Sequence, residues 1–409
     1  MEVKGPSYVL TVLLLVGLTG CVGAGTNSPP LEIVRLDGTK IAPAVLTGRI
    51  EDLMRSASVQ GMTVTIFNQS EQVYSRAFGY SDLPAGRRLK LATEIYGASL
   101  SKSVFTVLVM RLVEQDVIDL DTPLQNYLNE PLWKNQGESW HEDLGDLRDD
   151  PRYRQITARM CLSHTTGLPN WRWFEPDHKL RIHFEPGERY SYSGEGMVFL
   201  QIVLEKLTGK PLEQMMQEQI FAPLGMQMSS YTWQARFEGD YAVGHRADGS
   251  VYPKDKDNAA RAPSTLETTT ADYSRFMVAV LRGDGLEKAS WDEIFTPQVR
   301  IRFRTQFGPG ATDETDEHDA FELSYGLGWG LLKTPFGWGA FKEGHGDGFQ
   351  HYSIVFPEKE MGVLLMSNSD NAESLFHHLL TVTLADTYTP LEWEGFVPYD
   401  RTPGTSPPE

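Results

Sequence analysis

The 409 residues include only two cysteines, Cys21 and Cys161. A disulfide framework is therefore excluded, and stability has to come from a hydrophobic core. Positive charge is also scarce: 37 Lys and Arg stand against 55 Asp and Glu, a formal net charge of −18. Phosphate backbones are bound by basic surfaces, so the composition argues against a nucleic-acid partner. The acidic surplus serves solubility. Long apolar runs are missing too, and the stretch Tyr8–Leu18 falls short of the roughly 20 residues a spanning helix needs.

What is present is an ordinary globular composition, 40 % hydrophobic and 22 % charged. The length suits two lobes or one large mixed fold. The opening "MEVKGPSYVLTVLLLVGLTGC" pairs a Lys4 with a short apolar run, the proportions of an export signal. Its end, Leu18-Thr19-Gly20-Cys21, resembles the bacterial lipoprotein cleavage box. That resemblance implies cleavage before Cys21, acylation of Cys21, and anchoring at a membrane of the cell envelope, facing the periplasm or exterior. The expected division is a signal over 1–20, a tether over 21–40, a folded domain over 41–390 and a Pro-rich, poorly ordered tail over 391–409.

Within the domain, Leu46, Ile50, Leu53 and Met54 recur at helical spacing. "MTVTIFN" and "QVYSRAFGY" follow with no helix between them and predict an antiparallel hairpin. "SKSVFTVLVMRLVEQ" is apolar on nearly every face, so a helix inside the fold is expected. "EGMVFLQIVLEKLTGKPLEQMMQEQIFAPLG" predicts two helices broken at Thr208-Gly209, and "TTTADYSRFMVAVLRGDG" a third with a Thr or Asp cap and a Gly stop. Strand patterns return in "YGLGWGLLKT", "QHYSIVFP" and "MGVLLMSNS", before a last helix in "NAESLFHHLLTVTLADTY". Strands at both ends and helices between them predict an α+β fold. Its antiparallel sheet comes from about 41–98 and 320–390, flanked by N- and C-terminal helices, with a helical region inserted over about 99–319.

Ser99 and Lys102 form a Ser-x-x-Lys. At a helix start the two side chains share one face, and the Ser99 N–H is a free donor for an oxyanion. Such a serine can attack a carbonyl if burial lowers the lysine enough to accept its proton. The same four residues also suit a polar start to a buried helix with a snorkelling lysine, and alone they leave the choice open. Tyr192 lies in a Gly-rich loop before a helix, where a neighbouring ammonium would favour its charged form and make it a base. His345 precedes a Gly-rich turn and a strand, where glycines allow close approach of a ligand.

Ser99-Leu100-Ser101-Lys102, Tyr192-Ser193-Gly194 and His345-Gly346-Asp347 resemble, in order, the three motifs of the class C β-lactamase family. That family takes in penicillin-binding D-amino-acid peptidases and related esterases and amidases. "FGYSDL", "CLSHTTGLPNW", "FEPGERYSYS", "LTGKPL" and "YGLGWG" agree with it, over about residues 45–385. The resemblance implies a β-lactamase/transpeptidase-like fold and a serine hydrolase that works through an acyl-enzyme. Ser99 would be the nucleophile, Lys102 its proton acceptor or relay, and Tyr192 a base that also helps activate water. His345 would orient Tyr192 or the substrate, and the N–H groups of Ser99 and Gly348 would form the oxyanion hole. No metal or cofactor is implied.

Two departures stand out: Gly194 where the family usually has Asn, and Asp347 where it usually has Gly, in a turn about three residues short. Both count against β-lactam turnover. The expected substrate is a small ester or amide, a peptide with D-residues included. A weak β-lactamase, a D-alanyl carboxypeptidase and a non-hydrolytic or acylated sensor of the same fold are the alternatives. Cys161 and His164 suit core and turn roles, and His377 and His378 do not make a metal pair. Trp171, Trp173 and Phe174 fit a pocket lining or a lid core equally well.

Overall fold

The computed structural model describes Met1 and residues 32–135, 140–256 and 259–401, and thirteen strands occur among these described residues. They are β1 Ile33–Val34, β2 Lys40–Ile41, β3 Gly61–Asn68, β4 Glu71–Asp82, β5 Arg87–Arg88, β6 Glu94–Tyr96 and β7 Glu267–Thr269. β8 Val299–Arg300, β9 Ser324–Tyr325, β10 Gly330–Thr334, β11 Gly337–Gly346, β12 Phe349–Phe356 and β13 Met361–Ser367 complete the set. Nine of them form one sheet in the order β5-β4-β3-β13-β12-β11-β10-β9-β8, with every neighbouring pair antiparallel. The two chain ends meet where β3 pairs with β13, Val64 opposite Leu365. This is the sheet expected from the sequence, although its edge strand β8 comes from the inserted region, which is therefore not wholly helical.

β12 and β13 are buried at every position from Phe349 to Phe356 and from Met361 to Ser367, apart from the turn between them. A sheet covered on both faces has no need of polar alternation, which explains the continuous run "MGVLLMS". Val363 and Leu365 face one core with Leu46 and Ile50 of helix α1 (Pro43–Ser56) and Leu379 of the last helix, Phe376–Leu384. Leu364 and Met366 face the other core with Leu108 of helix α2 (Ser101–Glu114). Each such side chain, fully buried, contributes about 1.5–3 kcal/mol.

The local punctuation follows the sequence. Helix α3 spans Ala158–Leu162, and helix α4 runs Gly194–Thr208 until Gly209 takes a left-handed cap at φ +67°. Thr269 caps the helix Thr270–Arg282 by accepting from the Asp272 N–H, and Gly283 closes it at φ +71°.

Two boundaries differ from expectation. Residues 32–41 are not tether, because β1 pairs with β2 and Ile33 is fully buried. Residues 391–401 are not a loose tail: Leu391, Trp393 and Phe396 are buried in the core beneath the sheet. Alternating small clusters of apolar residues over so short a span carry little periodicity, and only the long-range packing reveals them. The described residues from Glu32 onward form one compact unit. Cys21 and the expected signal lie outside the described residues, as does the chain from 402 onward.

Candidate active site

Ser99 sits in a 3-10 turn, Ala98–Leu100, that runs directly into α2. Ala98 holds φ +47°, unusual for a residue with a side chain, and the tight turn is pinned by the Gly97 N–H donating to Leu266 O at 2.7 Å. The Ser101 hydroxyl adds a 2.5 Å bond to Ala98 O and accepts from the Leu266 N–H at 3.0 Å. Ser99 stands half-buried at the mouth of the helix, where backbone donors lack intrahelical partners.

Lys102, one turn on, is 1 % exposed. Its Nζ donates to Ser99 Oγ at 2.9 Å and to Pro263 O at 2.9 Å. Burial lowers its pKa well below the ordinary lysine value, and the nearby charge of Lys342 lowers it further. The apolar faces of α2 therefore have a second consequence, which is to keep this amine dry.

Tyr192 is buried and leans on the His164 ring at 4.4 Å between centroids. Its pKa is raised well above the usual phenol value, mainly by burial and then by the charge of Glu343, against a hydrogen bond with Ser99. The phenol is thus neutral at rest. Ser193, next in the chain, caps α4 by accepting from the Gly196 N–H at 2.9 Å and donates to Pro169 O at 2.9 Å. His164 accepts from the Ser193 N–H at 3.2 Å, and burial depresses its pKa, so it packs as a neutral ring.

Gly194 has a steric reason. A Cβ there would lie 2.8 Å from Asn170 O and 2.9 Å from the Trp171 indole, closer than a real side chain tolerates. Trp171 stacks on Trp173 at 4.6 Å, and the turn is fastened by Arg172, whose guanidinium meets the Glu195 carboxylate at 2.9 and 2.8 Å. Both partners of that ion pair are buried. Trp171 and Phe174 line the cavity, so the pocket reading of this aromatic group holds for those two.

The third element departs from the sequence reading. The residue that reaches Tyr192 is Lys342, not His345: Lys342 Nζ donates to the Tyr192 hydroxyl at 3.1 Å and to Glu343 Oε1 at 2.6 Å. Lys342 is fully buried, and burial lowers its pKa, while its charge keeps Glu343 ionised. His345 turns its side chain outward, 64 % exposed, and its Nδ1 pairs with Glu373 at 2.7 Å, which raises the imidazole pKa. Gly348 is likewise displaced from its expected role. Its N–H donates to Asp370 Oδ1 at 2.9 Å, and its backbone packs against Gly244 and His245.

The sheet explains the shift. β10 covers β11 only from Gly337 to Phe341, so Lys342–Gly346 has β12 on one side alone. Asp347 and Gly348 make a two-residue turn, with Gly348 at φ +74°. Antiparallel pairing directs the N–H groups of successive residues alternately to the two edges. Gly346 and Phe349 close the two-residue turn, so Gly346 and Gly344 face β12, and the N–H groups of His345 and Glu343 lie on the uncovered edge. In this register Lys342-Glu343-Gly344 begins with a lysine and has the usual glycine third, and the turn is no longer short. Gly344 is needed there, since a Cβ would lie 2.9 Å from Gly97 O beside the turn that carries Ser99. The sequence carries the signal as Lys-x-Gly, beside a second Gly-rich stretch at His345-Gly346.

These groups meet in a cavity of about 550 Å³ lined by Ser99, Tyr192, Glu343 and His345 together with aromatic side chains and Glu394. Glu394 and Phe396 come from the segment expected to be tail.

The Beta-lactamase family profile matches residues 46–385. A penicillin-binding protein of Bacillus subtilis (strain 168) is 25 % identical over 309 residues, 67 % of this chain and 60 % of that protein. This chain thus spans less than two thirds of that relative. A lovastatin esterase of Penicillium rubens is 26 % identical over 313 residues, 64 % of this chain and 76 % of the esterase. An octameric penicillin-binding protein homologue from Pyrococcus abyssi shares the fold, with a TM-score of 0.67 at 21 % identity over 85 % of this chain and 78 % of its own. With the profile covering most of its length and the fold shared, the chain belongs to the beta-lactamase family.

Proposed function

We propose that the protein is a serine hydrolase that cleaves a small ester or amide through an acyl-enzyme on Ser99. The observation that carries this reading is the 2.9 Å contact between Ser99 Oγ and a lysine whose burial holds its pKa well below normal. A neutral Lys102 takes the Ser99 proton as Oγ bonds to the substrate carbonyl carbon. The carbonyl oxygen becomes an oxyanion within reach of the Ser99 and His345 N–H groups. Collapse breaks the bond to the leaving group, which takes its proton from Tyr192, and Lys102 restores that proton. Water then repeats the sequence with Tyr192 and Lys102 removing its proton, and Ser99 leaves with one. Lys342 steadies any negative charge on Tyr192.

The test is a fluorophosphonate probe read by intact mass, with a p-nitrophenyl ester assay. Labelling at Ser99 that vanishes in Ser99→Ala, with ester turnover, is expected. Labelling without turnover of any ester, amide or β-lactam would favour an acylated sensor, and no labelling would sink both. We also infer export and lipid anchoring through Cys21, supported by Leu18-Thr19-Gly20-Cys21. Cys21→Ser should release the protein from membranes, and unchanged fractionation would refute the anchor.

A further inference from the structure

One end of the cavity holds buried acceptors with nothing to accept from. Glu394 is 9 % exposed, and neither carboxylate oxygen has a hydrogen-bond partner. Glu343 Oε2 and Gln306 Oε1 are also buried without partners. All three residues line the same cavity as Ser99, and Glu373 joins them. A buried polar atom left unmade is costly, so such a group points to a missing donor. We propose that this end receives a protonated amine carried by the substrate's leaving group, with Glu394 and Glu343 as its acceptors. The inference rests on the hydrolase reading above and narrows its substrate class.

The chemistry favours a cation over its rivals. An anion would meet Glu343, which its Lys342 partner keeps ionised, and Lys342 is already engaged by Glu343 and Tyr192. A metal ion is disfavoured, since among the described residues no group of three or more His, Cys, Asp or Glu is arranged to hold one. An ammonium supplies N–H donors and charge together, and charge-assisted bonds are the stronger kind. Phe396 and Phe307 line the same cavity, and aromatic rings suit a cation as well. Burial and the charge of Glu343 raise the Glu394 pKa, so Glu394 gives up its proton to solvent as the ammonium enters, and the ammonium offsets the second cause. The leaving-group side is assigned because Tyr192, which protonates the departing atom, touches Lys342, and Lys342 touches Glu343.

The experiment compares dimethylaminoethyl, dimethylaminopropyl and dimethylaminobutyl butanoates with isosteric alkyl esters carrying CH in place of the protonated nitrogen, by pH-stat. At least one amine ester should exceed its neutral twin in kcat/KM by about tenfold or more. In Glu394→Gln that ratio should fall toward one. A wild-type ratio at or below one at every length, with the neutral esters turned over, overturns this inference and leaves the hydrolase standing. A preference that survives Glu394→Gln also overturns it. No turnover and no Ser99 labelling would remove the hydrolase and this inference together.

Discussion

Lys342 Nζ donates to the Tyr192 hydroxyl at 3.1 Å, and its charge depresses Lys102. One side chain thus acts on both groups that carry protons in the proposed mechanism. Lys342→Met should lower kcat/KM on an ester by about a hundredfold. It should also move the pH profile. Lys102 works when neutral, so activity rises as pH passes its depressed value. Removing the like charge raises that value, and the acidic limb of kcat/KM should shift to higher pH. A limb that stays in place would show that Lys342 does not tune Lys102.

Gly194 is fixed by the approach of Trp171 and Asn170 O. Gly194→Asn, which restores the usual family residue, should therefore cost about 1–3 kcal/mol by overpacking. Denaturant unfolding measures it. An unchanged midpoint would mean that the turn carrying Trp171 yields freely.

The buried Arg172–Glu195 pair ties the aromatic turn to the first turn of α4, beside Tyr192. Glu195→Ala leaves a buried guanidinium without its carboxylate and should destabilise by about 3–5 kcal/mol. Arg172 also donates to Asp143 O at 2.6 Å, so loss of the carboxylate does not free it completely. Thermal unfolding of the variant gives the answer, and a loss below the error of the measurement would show that solvent reaches the site.

Trp393 is 2 % exposed and packs on Tyr190 and Phe341. Trp393→Ala should cost about 3–5 kcal/mol, as large core truncations do. The same change should loosen Glu394 and Phe396 and raise KM more than it lowers kcat. A variant as stable as wild type would return this segment to the status of a tail.

The primary structure was legible wherever chemistry is local. Ser99 and Lys102 share a helix face because they are three residues apart, and the apolar run after them favoured a buried helix while leaving the state of the lysine open. The hairpin of β3 and β4 and the left-handed stop at Gly209 were equally plain, since a short loop and a glycine act within a few residues. Tyr192 stood out by its order in the chain.

Tertiary structure decided what depends on register and distant packing. The sequence pointed to His345 for the place beside Tyr192, but residues three apart on a strand face opposite sides, and β11 turns Lys342 inward and His345 outward. Gly194 departs from its family because Trp171, from another loop, occupies the space. Glu394 reaches the cavity only through the burial of Trp393 and Phe396, a contact no local pattern encodes. Short-range geometry thus set the pairing of Ser99 with Lys102, while long-range packing set which lysine answers Tyr192 and which charges line the pocket.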